Sequence, residues 1–506
     1  MLTERSIINF LIWVGGLIIG PYLVVQLVEQ NFAPAMLSAA LLLLLISFTL
    51  FRNWLWFFPL GASYFSGKLN FLPFQLTPSD ISMIVFIAYF LVAYVALLHR
   101  PIKPGPAIFS VPIFVIAAIL LYHEHSFGLQ AFGSSMQGSR PAVFALLAAL
   151  VYLFGINIPV PPATVLAKVP LYALCVVSVS AVPFTISSIV PSLAPYLWYL
   201  TDNINISAYT ASLNAEGVVR EQGQAGVGFS VMVYLLTRYP LFTWWRPGRW
   251  WLIVLGIYCT WLVLGGGFRS AFVVYIVAVL VGTACYSSWR TLVLIPTALL
   301  VGLSLSVGQS SHLINLPLTA QRSLSFIPGD WDPEVKDSAV SSNAFRDNIR
   351  RVYKEEYMSK SPLIGNGFAY NAAEFSKWND LAVHNGDVDG YNVAKAFITG
   401  KEFHIGWISL YDAVGLIGGL AFILLDVNML LVLGRMIFGR GADQKSLLFP
   451  LKAWLFCNLF YTIVGFFTVF GNFSECYKGF CFYAVLVFFV MQQEKNPQMA
   501  SRPVPN

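Results

Sequence analysis

The chain has 506 residues, of which 57% are hydrophobic and 11% charged, against roughly 25% charged in ordinary soluble domains. This composition excludes a soluble globular protein and reads as an all-α polytopic membrane protein. A net charge of +6 gives no case for nucleic-acid binding; in such a chain it reports orientation in the bilayer.

The opening "MLTERSIINFLIWVGGLIIG" has a short charged segment before a long apolar run and no small-residue cleavage site, so it reads as a retained first helix. Further apolar runs follow near 33–51, 81–99, 106–122, 141–157, 165–190, 227–241, 250–266, 270–286, 291–307, 405–436, 449–470 and 475–492. With the shorter "NWLWFFPLGASYF", roughly 12–14 transmembrane helices are expected. The basic loops "HRPIKPG", "RYPLFTWWRPGRW", "SSWR" and "GRMIFGRGADQK" fall on one side if the short run at 53–65 crosses; that side is then the cytoplasm.

The expected division is an N-terminal transmembrane bundle at 1–307, a long external segment at 308–403, C-terminal transmembrane helices at 404–492 and a cytoplasmic tail at 493–506. Segment 308–403 holds 10 Lys and Arg and 12 Asp and Glu, 22 of the chain's 54 charges. It is near neutral, so it is not a polybasic lipid anchor, and it is too long for an idle connection. Within it, "SSNAFRDNIRRVYKEEYMSK" puts Phe345, Ile349, Val352 and Tyr353 on one helical stripe, with Ser342 as the expected N-cap. "SPLIGNGF" reads as a turn bent by its proline and two glycines.

No metal ligand set and no cofactor are expected. Asn385, Asp387, Asp389 and Gly390 match the opening of a calcium loop, but the position of the bidentate glutamate is Ala396, so the stretch reads as an Asx-rich turn. His123 and His125 lack further ligands nearby and read as an exposed loop. The six cysteines lie in or beside apolar runs; Cys476 and Cys481 read as buried thiols, with a disulfide as the alternative.

Charged groups beside apolar runs are the informative ones, because lipid makes them costly unless they are paired or used. Arg220, Arg269 and His404 stand on the external side at helix starts. A histidine there, near the positive end of a helix dipole, is held neutral and can act as a base. Arginine forks suit a diphosphate.

The order of motifs resembles the O-antigen ligase and O-antigen polymerase superfamily, bacterial lipid-linked glycan transferases. "FQLTPSDISMIVFIAYFLV" is similar to the family's early Ser-Asp helix start, "REQGQAGVGF" to its arginine-bearing stretch and "GGGFRSAFVVYIVAVLV" to its Ser-Arg helix start. "FRDNIRRVYKEEYMSKSPLIGNGF" resembles its R…P-x-x-G-x-G-F segment, and "HIGWISLYDAVGLIGGLAFILL" its His-led helix ending in G-L-x-G. The family's usual His-Asn is His404-Ile405 here, while His384-Asn385 stands twenty residues earlier; the serine expected before Arg269 follows it as Ser270.

The resemblance implies a GT-C-like inner-membrane glycosyltransferase of surface-polysaccharide biosynthesis, with its active face in the periplasm. It would pass a glycan from undecaprenyl pyrophosphate to a hydroxyl acceptor without a metal. His404 would be the base, Arg220 and Arg269 the pyrophosphate ligands, and Arg346 and His384 further candidates. Its partners would be the lipid-linked glycan, a glycan or lipid-linked acceptor, the bilayer and other polysaccharide-assembly proteins. A secondary transporter, for which Asp412 and Asp426 inside a helix speak, and a non-catalytic scaffold of the export pathway are the alternatives.

Overall fold

A computed structural model of the chain describes residues 19–26, 38, 52–65, 76–91, 101–123, 140–198, 222–368, 372–384, 390–469 and 471–495. Among these residues there is helix and no strand. The main elements are α1 (Pro78–Phe90), α2 (Ala107–His123), α3 (Arg140–Gly155), α4 (Val169–Ile189), α5 (Gln222–Arg238), α6 (Trp250–Gly265), α7 (Arg269–Ala284) and α8 (Ser288–Ser310). They continue with α9 (Leu318–Leu324), α10 (Pro333–Glu356), α11 (Ala372–His384), α12 (Tyr391–Thr399), α13 (Gly406–Phe438), α14 (Phe449–Thr468) and α15 (Phe473–Lys495).

Among the described residues five helices are long and apolar enough to cross a bilayer, and five shorter helices are apolar. The protein is therefore a helical membrane protein. The runs at 7–28 and 33–51 lie mostly outside the described residues, as does nearly all of the tail at 493–506.

α15 is the most enclosed of the long helices and α8 the least. α15 packs on α3, whose buried Ala142, Ala145, Ala148 and Ala149 form a small-residue face that lets backbones approach where lipid supplies no hydrophobic drive. The approach is tight: a Cβ on Gly155 would stand 2.8 Å from Val485. α8 exposes Leu292, Val293, Leu299, Leu300 and Leu303, and α13 exposes Leu420, Leu424, Val427 and Leu431. In water such faces would be an aggregation hazard; in a bilayer they are the lipid contact.

The four basic loops share one end of the bundle, as their charge pattern predicts. The Gln444 amide donates to the Tyr286 carbonyl at 3.3 Å, the Tyr286 hydroxyl donates to the Thr237 carbonyl at 2.6 Å, and Arg290 stands 5.5 Å over the Phe242 ring. Lys103 is tied to Asn157, and Gln493 at the end of α15 donates to the nearby Pro161 carbonyl at 2.7 Å.

The short run at 53–65 folds as a 3-10 turn, Arg52–Phe57, and a short helix, Phe58–Ser63. Trp56 packs 5.5 Å from Phe489, the Tyr64 hydroxyl meets that of Tyr483 at 2.5 Å, and Asp80 reaches Lys478. These three contacts lie progressively nearer the N-terminal end of α15.

α10 corrects one expectation. Its N-cap is Asp332, whose carboxylate accepts from Glu334 N at 2.9 Å, with Pro333 in the first turn. Ser342 lies well inside the helix, because Asp-Pro is the stronger start. The expected stripe is real: Ile349, Val352 and Tyr353 are buried against Ala394 and Ile398 of α12 and Ile408 of α13, with Phe345 half-buried beside them. Segment 308–403 is thereby packed onto the start of a long apolar helix.

α13 is broken at Gly415, where φ is 62° and ψ −161°. A break leaves carbonyls before it and amides after it without helical partners. The turn at 362–367 supplies them. Asn366 N donates to Asp412 O at 2.6 Å and Gly367 N to Ala413 O at 3.2 Å, while Leu416 N and Ile417 N donate to Pro362 O and Leu363 O, both at 2.9 Å.

Candidate functional site

The end of the bundle opposite the basic loops gathers the residues that can carry chemistry. His404 closes a loop between α12 and α13 in which both Lys401 (φ 60°) and His404 (φ 51°) adopt left-handed backbone. Such conformations cost about 1–3 kcal/mol each and persist only where the surroundings over-determine them. Here Phe403 between them is buried edge-on to Tyr353 at 5.7 Å, and Lys401 is anchored by Asp412.

The His404 ring is half-buried, 5.6 Å from Phe397 and 6.5 Å from Phe345. Burial, with Arg346 nearby, holds its pKa below the ordinary imidazole value. The neutral ring thus has a different cause from the one the sequence pointed to: an apolar cage and a cation in place of the helix dipole.

Arg269 opens α7 and reaches across to α10. Its Nη2 donates to Ala339 O at 3.2 Å and to Asn343 Oδ1 at 3.4 Å. Arg346 lies seven residues beyond Ala339, about 10 Å along the helix. Arg269, Arg346 and His404 are therefore assembled around one amphipathic helix. Arg220 and the Asn385, Asp387 and Asp389 loop lie outside the described residues. His384 ends α11, and the structure does not describe its side chain.

His123 is not an exposed loop residue. Its half-buried ring donates from Nε2 to Ile364 O at 2.9 Å, bracing the turn that plugs the break in α13; His125 lies outside the described residues. Cys476 and Cys481 are free thiols, as Cys175, Cys259, Cys285 and Cys457 are.

Two buried ionic clusters were not assembled by the sequence reading, which singled out Asp412 but none of its partners. In the first, Asp412 is 2% exposed; Lys401 Nζ lies 2.6 Å from its Oδ2, and its Oδ1 accepts from Asn366 Nδ2 at 2.8 Å and the Tyr353 hydroxyl at 3.3 Å. Asp412 thus joins the His404 loop, the inserted turn and α10 at one carboxylate. In the second, Asp80 forms a capping box with Thr77 at the start of α1, both bonds 3.1 Å long. The same carboxylate pairs with Arg140 at 3.2 Å and Lys478 at 3.5 Å, and Lys478 also pairs with the exposed Glu475 at 2.7 Å. A small pocket separates the clusters, lined by Pro141, Phe368, Lys401, Asp412, Asn472 and Ser474. The only sequence signal for these residues was a charge within or at the edge of an apolar run.

No protein-family model, no curated protein and no solved structure matches the chain.

Proposed function

We propose that the protein is a membrane glycosyltransferase of surface-polysaccharide assembly, acting as an O-antigen ligase or polysaccharide polymerase does. The observation that carries this reading is the placement of His404, Arg346 and Arg269 around α10. On it, the chain adopts a GT-C-like arrangement in the bacterial inner membrane, with 308–403 in the periplasm. The donor is a glycan on undecaprenyl pyrophosphate, its polyprenyl tail lying along the apolar helices.

The acceptor hydroxyl loses its proton to His404 as its oxygen bonds to the anomeric carbon. The bond from that carbon to the pyrophosphate oxygen breaks, and the leaving diphosphate takes the electron pair. Charge then grows on the diphosphate, where the guanidinium groups of Arg269 and Arg346 stabilise it bidentately; Arg220 is assigned the same task. A neutral imidazole is the form this step needs.

The test is single-turnover transfer from a lipid-linked donor. His404→Ala should cut the rate by about 10²–10⁴-fold while donor binding survives. Unchanged turnover would remove the base from the reading. A secondary transporter is the second reading, favoured by the break in α13 and by Asp426, whose two buried carboxylate oxygens find no hydrogen-bond partner among the described residues. It predicts substrate flux that survives His404→Ala and fails in Asp426→Asn.

A further inference from the structure

A separate site lies at the opposite end of the bundle. Where α13, α14 and α15 meet the basic loops, a cavity of about 470 Å³ is lined by Arg435, Asp443, Leu447, Lys452, Gln493 and Glu494, among others. That volume lies within the range of small-ligand sites, about 300–1,000 Å³. The Lys452 side chain is 2% exposed and its Nζ lies 3.0 Å from Glu494 Oε1 at the more open rim.

Gln493 is 5% exposed. Its amide is oriented unambiguously, because Nε2 donates to the Pro161 carbonyl at 2.7 Å, an atom that can only accept. Its Oε1 is then left buried with no hydrogen-bond partner among the described residues. A buried acceptor in that state is unfavourable until a donor arrives.

We propose that this cavity binds the headgroup of a phospholipid carrying both a phosphate and a primary ammonium. A fully ionised anion does not fit: Lys452 is already matched by Glu494, and such an anion brings no donor to Gln493 Oε1. A primary ammonium donates to Gln493 Oε1 and pairs with Glu494. The adjoining phosphate is met by Arg435 in the last turn of α13 and by the remaining N–H groups of Lys452. A quaternary ammonium has the charge but no N–H, so the site discriminates ethanolamine from choline. Leu447 lines the cavity and is 50% exposed, which offers apolar contact at its mouth for acyl chains and favours a lipid over a soluble phosphoamine.

The test uses the full chain in detergent, with phosphatidylethanolamine or phosphatidylcholine of identical acyl chains added. Binding is read by native mass spectrometry and by the shift in melting temperature. The ethanolamine lipid should be retained and raise the melting temperature, and the choline lipid should do neither. Soluble phosphoethanolamine should reproduce neither effect; if it does, the ligand is a soluble phosphoamine and the lipid assignment falls. Gln493→Leu should weaken ethanolamine-lipid binding about tenfold, the loss of one bond to a charged donor. The substitution also removes the Nε2 bond to the Pro161 carbonyl, so the lipid-induced shift is read against lipid-free protein of the same variant. Glu494→Gln should weaken binding likewise. Equal binding of the two lipids, or undiminished binding by Gln493→Leu, would overturn the proposal. None of these readouts depends on glycan transfer.

Discussion

Gly365 and Gly415 interlock. Both have positive φ, at 75° and 62°; a Cβ on Gly365 would stand 2.6 Å from Gly415 N, and one on Gly415 2.4 Å from Gly365 N. Neither backbone can accept a side chain without parting from the other. Left-handed backbone and overpacking together predict that Gly365→Ala or Gly415→Ala loses roughly 2–4 kcal/mol. Gly419→Ala is the control, because its Cβ would meet nothing nearer than Leu410 at 3.9 Å. Thermal unfolding in detergent should show both interlocked variants melting early and Gly419→Ala unchanged or slightly raised.

Asp412 should be worth most as half of a pair. Removing one partner of a buried ion pair costs about 3–5 kcal/mol, whereas replacing both by apolar groups is often neutral. Asp412→Asn and Lys401→Met should each destabilise strongly. The double variant Asp412→Asn, Lys401→Met should recover part of the loss. Strict additivity of the two single effects in chemical denaturation would show that the pair is not coupled.

Protonation of His404 should carry a defined sign. Its folded pKa is lowered by burial and by Arg346, so the neutral ring persists below the ordinary value of about 6.5. Under the proposed mechanism the acid limb of transfer should fall below that pH. Arg346→Gln should move it upward, toward but not to the ordinary value, because burial remains. Stability follows the same linkage: the His404 contribution is absent above about pH 6.5 and becomes a loss as pH falls toward the folded pKa. An acid limb unmoved in Arg346→Gln would detach the arginine from the histidine.

Arg269 holds α10 through Nη2, so its substitution should act on both packing and chemistry. Lysine keeps the charge but loses the planar fork. Arg269→Lys should fold with little loss yet transfer slowly, with the deficit in the rate constant of single-turnover transfer. Wild-type turnover in Arg269→Lys would exclude bidentate diphosphate binding there.

Sidedness is open to direct labelling. Ser341 is exposed on α10, and Thr243 sits in the basic loop at the other end. In a background without native cysteines, an impermeant thiol reagent should label Ser341→Cys and spare Thr243→Cys in intact spheroplasts. The reverse pattern would invert the orientation.

The helical membrane character, the shared end of the basic loops, the stripe Ile349, Val352 and Tyr353, and the bend at "PLIGNG" were legible because each depends on local pattern. The start of α10 was not, because Asp332 and Ser342 are both capping residues and only the flanking Pro333 separates them. Asp412 was visible as a charge in an apolar run, but its partners Lys401, Asn366 and Tyr353 come from three other elements and share no spacing rule. Nor does spacing show that "PLIGNGF" and "YDAVGLIGG" are two halves of one backbone junction. His404 was singled out for its position, whereas Phe397, Phe345 and Arg346, which set its charge, are placed by packing.

The pairing of Asp80 with Lys478 has a consequence in time. At about 5–20 residues per second, roughly 20–80 s of synthesis separate the two residues. During that interval the first turn of α1 carries the Asp80 carboxylate before α15, the helix it will lean on, exists. Arg140 arrives sixty residues after Asp80, roughly 3–12 s later, and neutralises it first. Until α15 emerges, Arg140 is therefore the cation of this cluster that Asp80 can already reach.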